Sequence, residues 1–132
     1  MKYLLDTNIV SYWMRGETKV LEGIAAKSPG DIAISTVTFA EINCGIEKSP
    51  HKKKERRHRI QSIVGQIELL PFDREAAIHY SHIRVFLEKN GVPISERDLQ
   101  IASIARSRGM CLVTHSVKEF SRVPDLKVDD WC

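Results

Sequence analysis

The chain has 132 residues, 42% hydrophobic and 28% charged, with a formal net charge of +3. That length suits one domain with a real core and leaves no room for two, so a single domain over residues 1–132 is expected. No apolar run nears the roughly 20 residues of a membrane span, and the amino terminus lacks the order of a signal peptide, which predicts a cytoplasmic protein without a membrane partner.

Met1 to Asn8 reads M-K-Y-L-L-D-T-N. Tyr3, Leu4 and Leu5 form an apolar run that stops at Asp6, the pattern of a short strand buried on both faces. Asp6 has two readings of equal weight: the cap of a helix opening near Ile9, or a group in the crevice beyond the strand's carboxyl end, where open α/β sheets bind ligands. Ile9 to Arg15 reads as a short helix ended by Gly16. Val20 to Ala26 repeats apolar residues at helical spacing and meets the breaker Ser28-Pro29-Gly30. Asp31 to Ser35 is a second strand, and Val37, Phe39, Ala40 and Ile42 open a helix running to about Lys48.

Ser49-Pro50 interrupts that helix, and a basic stretch follows. Lys48, Lys52, Lys53, Lys54, Arg56, Arg57 and Arg59 crowd it, relieved by Glu47 and Glu55. Such a run is a solvated helix face or a footprint for phosphate backbone. It leads into Ile60, Ile63, Val64 and Ile67, one apolar helix face. Glu68 to Pro71 predicts a brief strand. Asp73 to Asn90 predicts a long helix, stopped at Asn90-Gly91. Glu96 to Arg108 predicts another, with Gly109 beyond its end. Met110 to Thr114 and Leu126 to Asp129 complete the strands. The alternation argues for an α/β fold: three layers, α/β/α, around a central, mostly parallel sheet.

Cys44, Cys111 and Cys132 are odd in number and widely spaced, with no CxxC or Cys/His pairing, so neither a disulfide framework nor a zinc site is indicated. Cys44 and Cys111 have apolar neighbours and are expected in the core. His79 and His82 lie three apart on one helix without a third ligand type beside them.

The topology places four acids on one edge. Asp6 closes the first strand, Glu41 lies a turn into the next helix, Asp98 opens the helix before the Met110 strand, and Glu119 follows that strand. Capping explains some of them: Thr38 with Glu41 and Ser95 with Asp98 fit capping boxes, and first-turn acids suit the helix dipole. Capping does not require a shared rim. Crowded carboxylates repel, and Mg²⁺ or Mn²⁺ relieves that strain with oxygen ligands. Without a glycine-rich phosphate loop or a Cys or Ser nucleophile, such a set suits metal-assisted phosphodiester cleavage. The basic stretch Lys52, Lys53, Lys54, Arg56, Arg57 and Arg59 would then grip RNA or DNA. Haloacid-dehalogenase-like phosphatases also begin with an aspartate after a buried strand, but need a second Asp two residues on. Asn8 stands there.

Further motifs join these: Leu5-Asp6-Thr7-Asn8, Ile34-Ser35-Thr36-Val37-Thr38 leading to Ala40-Glu41, Gly45-Ile46-Glu47-Lys48-Ser49 and Leu70-Pro71-Phe72-Asp73. Asp98-Leu99-Gln100-Ile101-Ala102, Leu112-Val113-Thr114, Lys118-Glu119-Phe120 and Leu126-Lys127-Val128 with Trp131 continue the series. In this order and spacing the chain resembles the PIN-domain nucleases, and within them the VapC toxins of type II toxin–antitoxin pairs. The resemblance implies a PIN-like domain, usually dimeric, with Mg²⁺ or Mn²⁺ held by Asp6, Glu41 and Asp98. Thr7, Asn8, Thr114 and Ser116 would support that site. Ser116 stands where the family has Asp or Asn; Glu119 is the acid placed to take that role, and Ser116 retains the means to hold a water. The resemblance further implies an endoribonuclease that stops translation by cutting RNA, with tRNA, the initiator in particular, a recurrent target. A VapB antitoxin would block the site, and the larger assembly would reach operator DNA only through the antitoxin. A nuclease-dead module acting through that partner is the alternative from another class.

Overall fold

The computed structural model describes residues 1–132. Five strands, β1 (Tyr3–Leu5), β2 (Ile32–Ser35), β3 (Glu68–Leu70), β4 (Cys111–Val113) and β5 (Lys127–Asp129), form one sheet in the order β3-β2-β1-β4-β5. Every pairing is parallel, so the sheet is fully rather than mostly parallel. Seven helices connect the strands: α1 (Thr7–Met14), α2 (Thr18–Ala25), α3 (Thr36–Lys48), α4 (Lys53–Val64), α5 (Arg74–Lys89), α6 (Glu96–Ser107) and α7 (Val117–Phe120). The expected elements fall within two residues of these bounds, α4 and α7 apart. The charged first turns of α4 hid its start, and α7 has too few residues to show a period.

Alternation along each strand makes the three layers. Leu4, Ala33 and Leu112 lie side by side and pack with Ala76, Ile83, Leu87, Ala102 and Phe120, under α5, α6 and α7. Leu5, Ile34 and Val113 form the next row and pack on the other face with Ile9, Val10, Val20, Ile42, Ile46 and Ile60, under α1 to α4. Burying one such Leu or Ile contributes about 2 kcal/mol of transfer free energy. Gly91 and Gly109 stop α5 and α6 at φ +65° and +63°, where a side chain would be strained. No helix is long and apolar enough to cross a membrane.

Two expectations fail on helix geometry. Cys111 is buried but Cys44 is exposed. α3 buries Ile42 and Ile46, one turn apart, which turns the position midway between them outward. Nor does Thr38 cap α3. Ser35 does, its hydroxyl accepting from the Thr38 amide at 3.0 Å, while Thr38 itself is fully buried inside the helix.

The carboxyl-terminal segment is locked across β1. Trp131 packs against Tyr3 at a tilt, with ring centroids 5.4 Å apart and planes at 54°, and its indole N–H donates to Asp129 Oδ2 at 3.1 Å. Its ring also lies on α2, where a Cβ on Gly23 would come within 2.8 Å of it. Gly23→Ala is therefore expected to lift the indole and cost about 1–3 kcal/mol. Thermal melting and tryptophan fluorescence report this; an unchanged melt with unchanged emission refutes it.

Candidate active site

The strand order reverses at β1: β2 and β3 extend to one side, and β4 returns on the other. The crevice between the carboxyl ends of β1 and β4 is thus the switch point at which open parallel sheets bind ligands. Asp6 and Thr114 are the first residues beyond those two ends. The Asp6 amide continues the ladder to the Val113 carbonyl at 3.0 Å. Its carboxylate does two jobs at once. Oδ1 accepts from the Ile9 amide at 3.0 Å, capping α1, and Oδ2 accepts from the Thr114 hydroxyl. The Thr114 oxygen in turn accepts from the Ser116 amide at 2.9 Å.

Asp6 is only 4% exposed. Its pKa is raised, chiefly by burial; the bonds from Thr114 and Ile9 oppose this, and the charges of Asp98 and Glu41 add to it. Asp98 sits in the first turn of α6, its amide bonded to the capping Ser95 hydroxyl at 3.2 Å. Its carboxyl is also raised, again first by burial, against a bond from Ser95 and with the charges of Glu41 and Glu119. Acids far apart in the sequence therefore meet electrostatically on one rim.

Glu41, like Asp6, is held by two bonds. Thr7 Oγ1 donates to its Oε1 at 2.8 Å and lies 3.2 Å from the Thr38 hydroxyl. Arg97, beside Asp98 on α6, donates to its Oε2 at 3.2 Å. Sequence reasoning passed over Arg97, although it lies inside the S-E-R-D run that singled out Asp98. Turned toward Thr7 and Arg97, Glu41 does not close with Asp6 and Asp98 into a tight set. The one set of three ligand-type side chains with all donor atoms within 4.8 Å of one another is His115, Asp130 and Cys132. Glu119 is exposed on α7 and acts on Asp98 but is no cause of the Asp6 shift. Ser116 is half-buried and enters through its amide, and Asn8 is exposed on α1. His79 Nδ1 accepts from Arg106 at 2.9 Å, and His82 is exposed.

The basic stretch is largely spent on the fold. Arg56 donates to the carbonyls of Ser49 at 2.6 Å and His51 at 2.9 Å and reaches those of Gly45 and Ile46, closing the end of α3. Lys53 and Arg57 both pair with Glu47, while Arg59 pairs with Glu55 and donates to the Met14 carbonyl. Lys52 and Lys54 remain exposed. A cleft of about 410 Å³ between α1, α3 and α4 runs up to Glu41, and Arg15, Lys48, Arg56, Arg59 and Arg97 line it. The cations facing this cleft come from four elements and overlap the basic stretch only in part.

A model of the PIN domain matches residues 3–126. The chain belongs to the PIN-domain family. It is 31% identical over 132 residues to the tRNA(fMet)-specific endonuclease VapC of Salmonella typhimurium, covering 100% of this chain and 99% of that one. To the protein of the same name from Shigella flexneri it is 35% identical, covering 99% and 98%. Among solved structures, VapBC2 from Rickettsia felis bound to a promoter DNA fragment superposes with a TM-score of 0.91 at 31% identity, over all of both chains. DNA-bound VapBC from Salmonella typhimurium gives 0.92 at 32% identity, covering 100% and 99%. This PIN domain thus falls among the VapC ribonucleases, and PIN-domain nucleases generally depend on a divalent metal. Its donor set fits one: carboxylate oxygens only, two of them, Asp6 and Asp98, held above their ordinary pKa first by burial and then by neighbouring carboxylates.

Proposed function

We propose that this chain is the toxin of a type II toxin–antitoxin pair, an endoribonuclease dependent on Mg²⁺ or Mn²⁺ that cuts tRNA, initiator tRNA foremost. The observation that carries this reading is the buried Asp6 at the switch-point crevice, near enough to Asp98 and Glu41 to be raised by their charges, beside a cleft lined by cations. The names of the Salmonella and Shigella relatives support the tRNA target.

Asp6, Asp98 and Glu41 would hold the metal. When bound, it supplies Lewis-acid activation of the attacking water and neutralises charge on the phosphate. Thr114 and the Ile9 amide fix the two oxygens of Asp6. Thr7 and Arg97 aim Glu41, and Arg97 balances its charge. Glu119 adds negative potential on the Asp98 side, with Ser116 and Asn8 at the margin. Arg15 and Lys48 in the cleft, with Lys52 and Lys54 at the start of α4, carry the RNA backbone, a contact that weakens as salt rises. Lys53, Arg56, Arg57 and Arg59 reach RNA only at the expense of the bonds that secure α1, α3 and α4.

The solved VapBC complexes, bound to DNA, support a VapB-type antitoxin as partner that carries the pair to operator DNA; in this reading it blocks the acidic site. A homodimer in the cytoplasm completes the proposal. Purified protein free of antitoxin, given Mg²⁺ and a tRNA mixture, should cut initiator tRNA at one position, located by sequencing the new ends. Chelation should stop it. Antitoxin binding without cleavage of any RNA would overturn the nuclease in favour of an inert module.

A further inference from the structure

A second set of donors gathers beside the acids, and the proposed activity makes no use of it. His115, in the turn after β4, and Asp130 and Cys132, beyond β5, each present a ligand atom, all within 4.8 Å of one another. Because β4 and β5 are neighbours in the sheet, their ends bring these residues together. His115 Nδ1 and Asp130 Oδ2 are hydrogen-bonded at 3.1 Å, and a cation replacing the shared proton needs them only slightly further apart, at the roughly 3.4 Å edge of a tetrahedron with metal–nitrogen and metal–oxygen bonds of about 2.1 Å. The Cys132 amide donates to Asp130 Oδ1 at 2.9 Å, which folds the chain back so that the thiol meets the carboxylate. Trp131, between them, is packed on Tyr3 and against Gly23, so the turn that presents the donors is anchored. On the open side lies a cleft of about 410 Å³, bordered by His115, Cys132, Tyr12 and Glu17.

We propose that His115, Asp130 and Cys132 form a second metal site, selective for a borderline-soft divalent cation of the Zn²⁺ class. Three protein donors, one nitrogen, one oxygen and one thiolate, match zinc sites that keep a fourth position for water or an incoming ligand. The cleft leaves that position open. The acids offer only oxygen and select a hard cation, so the two sites divide metals by ligand type. Position gives the second site an influence on the first. His115 stands between Thr114, which bonds Asp6, and Ser116, which bonds Thr114. A cation on His115 ties that turn to the carboxyl-terminal segment and stiffens the wall behind Asp6.

Co²⁺ in place of Zn²⁺ tests this without reference to cleavage. One equivalent added to the reduced full chain should produce near-ultraviolet thiolate-to-cobalt absorption that Zn²⁺ then removes. Cys132→Ser should abolish the absorption, and His115→Ala should weaken Co²⁺ binding about tenfold or more. Cys44→Ser, at the other exposed thiol, should change nothing. No thiolate absorption in the unmodified chain, its survival in Cys132→Ser, or full affinity in His115→Ala would each overturn the site.

Discussion

Asp6→Asn is expected to lower RNA cleavage by about three orders of magnitude or more, with the fold intact, since the metal contribution amounts to several kcal/mol of barrier. The substitution is nearly isosteric and keeps the cap on α1, while its amide nitrogen, a donor, reverses the bond that Oδ2 accepts from Thr114. Asn is as good an N-cap as Asp, so its carbonyl still accepts from the Ile9 amide. What disappears is the charge at the point where β1 ends, 4% exposed, with Asp98 and Glu41 close by. Asp98→Asn should fall almost as far. Glu119→Gln should cost tenfold at most, by order of magnitude, because its exposed carboxylate acts on Asp98 through screened solvent. Single-turnover cleavage of one tRNA, with circular dichroism as the fold control, measures all three. Undiminished cleavage by Asp6→Asn removes the assigned centre; a Glu119→Gln loss equal to that of Asp6→Asn gives Glu119 the fourth acidic place.

What the sequence made legible is what local pattern determines. The Tyr3–Leu5 run ends at a carboxylate because the strand is buried on both faces and its end is a crevice, and that juxtaposition is written in adjacent residues. α5 and α6 announced themselves through long apolar periods and their stop signals. Contacts between distant elements were not legible in the same way. A lysine- and arginine-rich run looks alike whether its guanidinium groups meet RNA or, as Arg56 does, the carbonyls ending the preceding helix. The difference lies in the path of the chain between α3 and α4. The Arg97–Glu41 pair joins residues 56 apart, and no spacing rule reaches so far. Cys44 was misplaced for a smaller reason: apolar neighbours two residues away lie on the opposite side of a helix. The Thr38–Glu41 box failed because an earlier serine, Ser35, already holds the Thr38 amide.

The acids that serve the reaction should weaken the metal-free fold, and the sign follows from their titration. Asp6 and Asp98 both have folded pKa values raised above the ordinary 3.8. The folded state therefore holds these protons more tightly than the unfolded chain does. Below 3.8 both states are protonated and neither group alters stability. As pH rises through the raised folded values, the unfolded chain ionises more readily, so stability falls and stays reduced at neutral pH. Asp6→Asn removes that penalty, so at pH 7 without metal the variant should melt above the unmodified protein. Mn²⁺ should remove it differently, by binding the folded state alone. At a hundredfold excess over its dissociation constant it adds about 2.7 kcal/mol, or roughly 10 °C in a chain of this size. The increment should vanish in Asp6→Asn and shrink toward low pH as the carboxylates protonate. Measuring in the Cys132→Ser background keeps the thiolate site from contributing. A melt that Mn²⁺ leaves unmoved, with Asp6→Asn melting lower than its parent, would mean that burial and mutual repulsion are not what these acids experience, and the case for a shared cation would go with them.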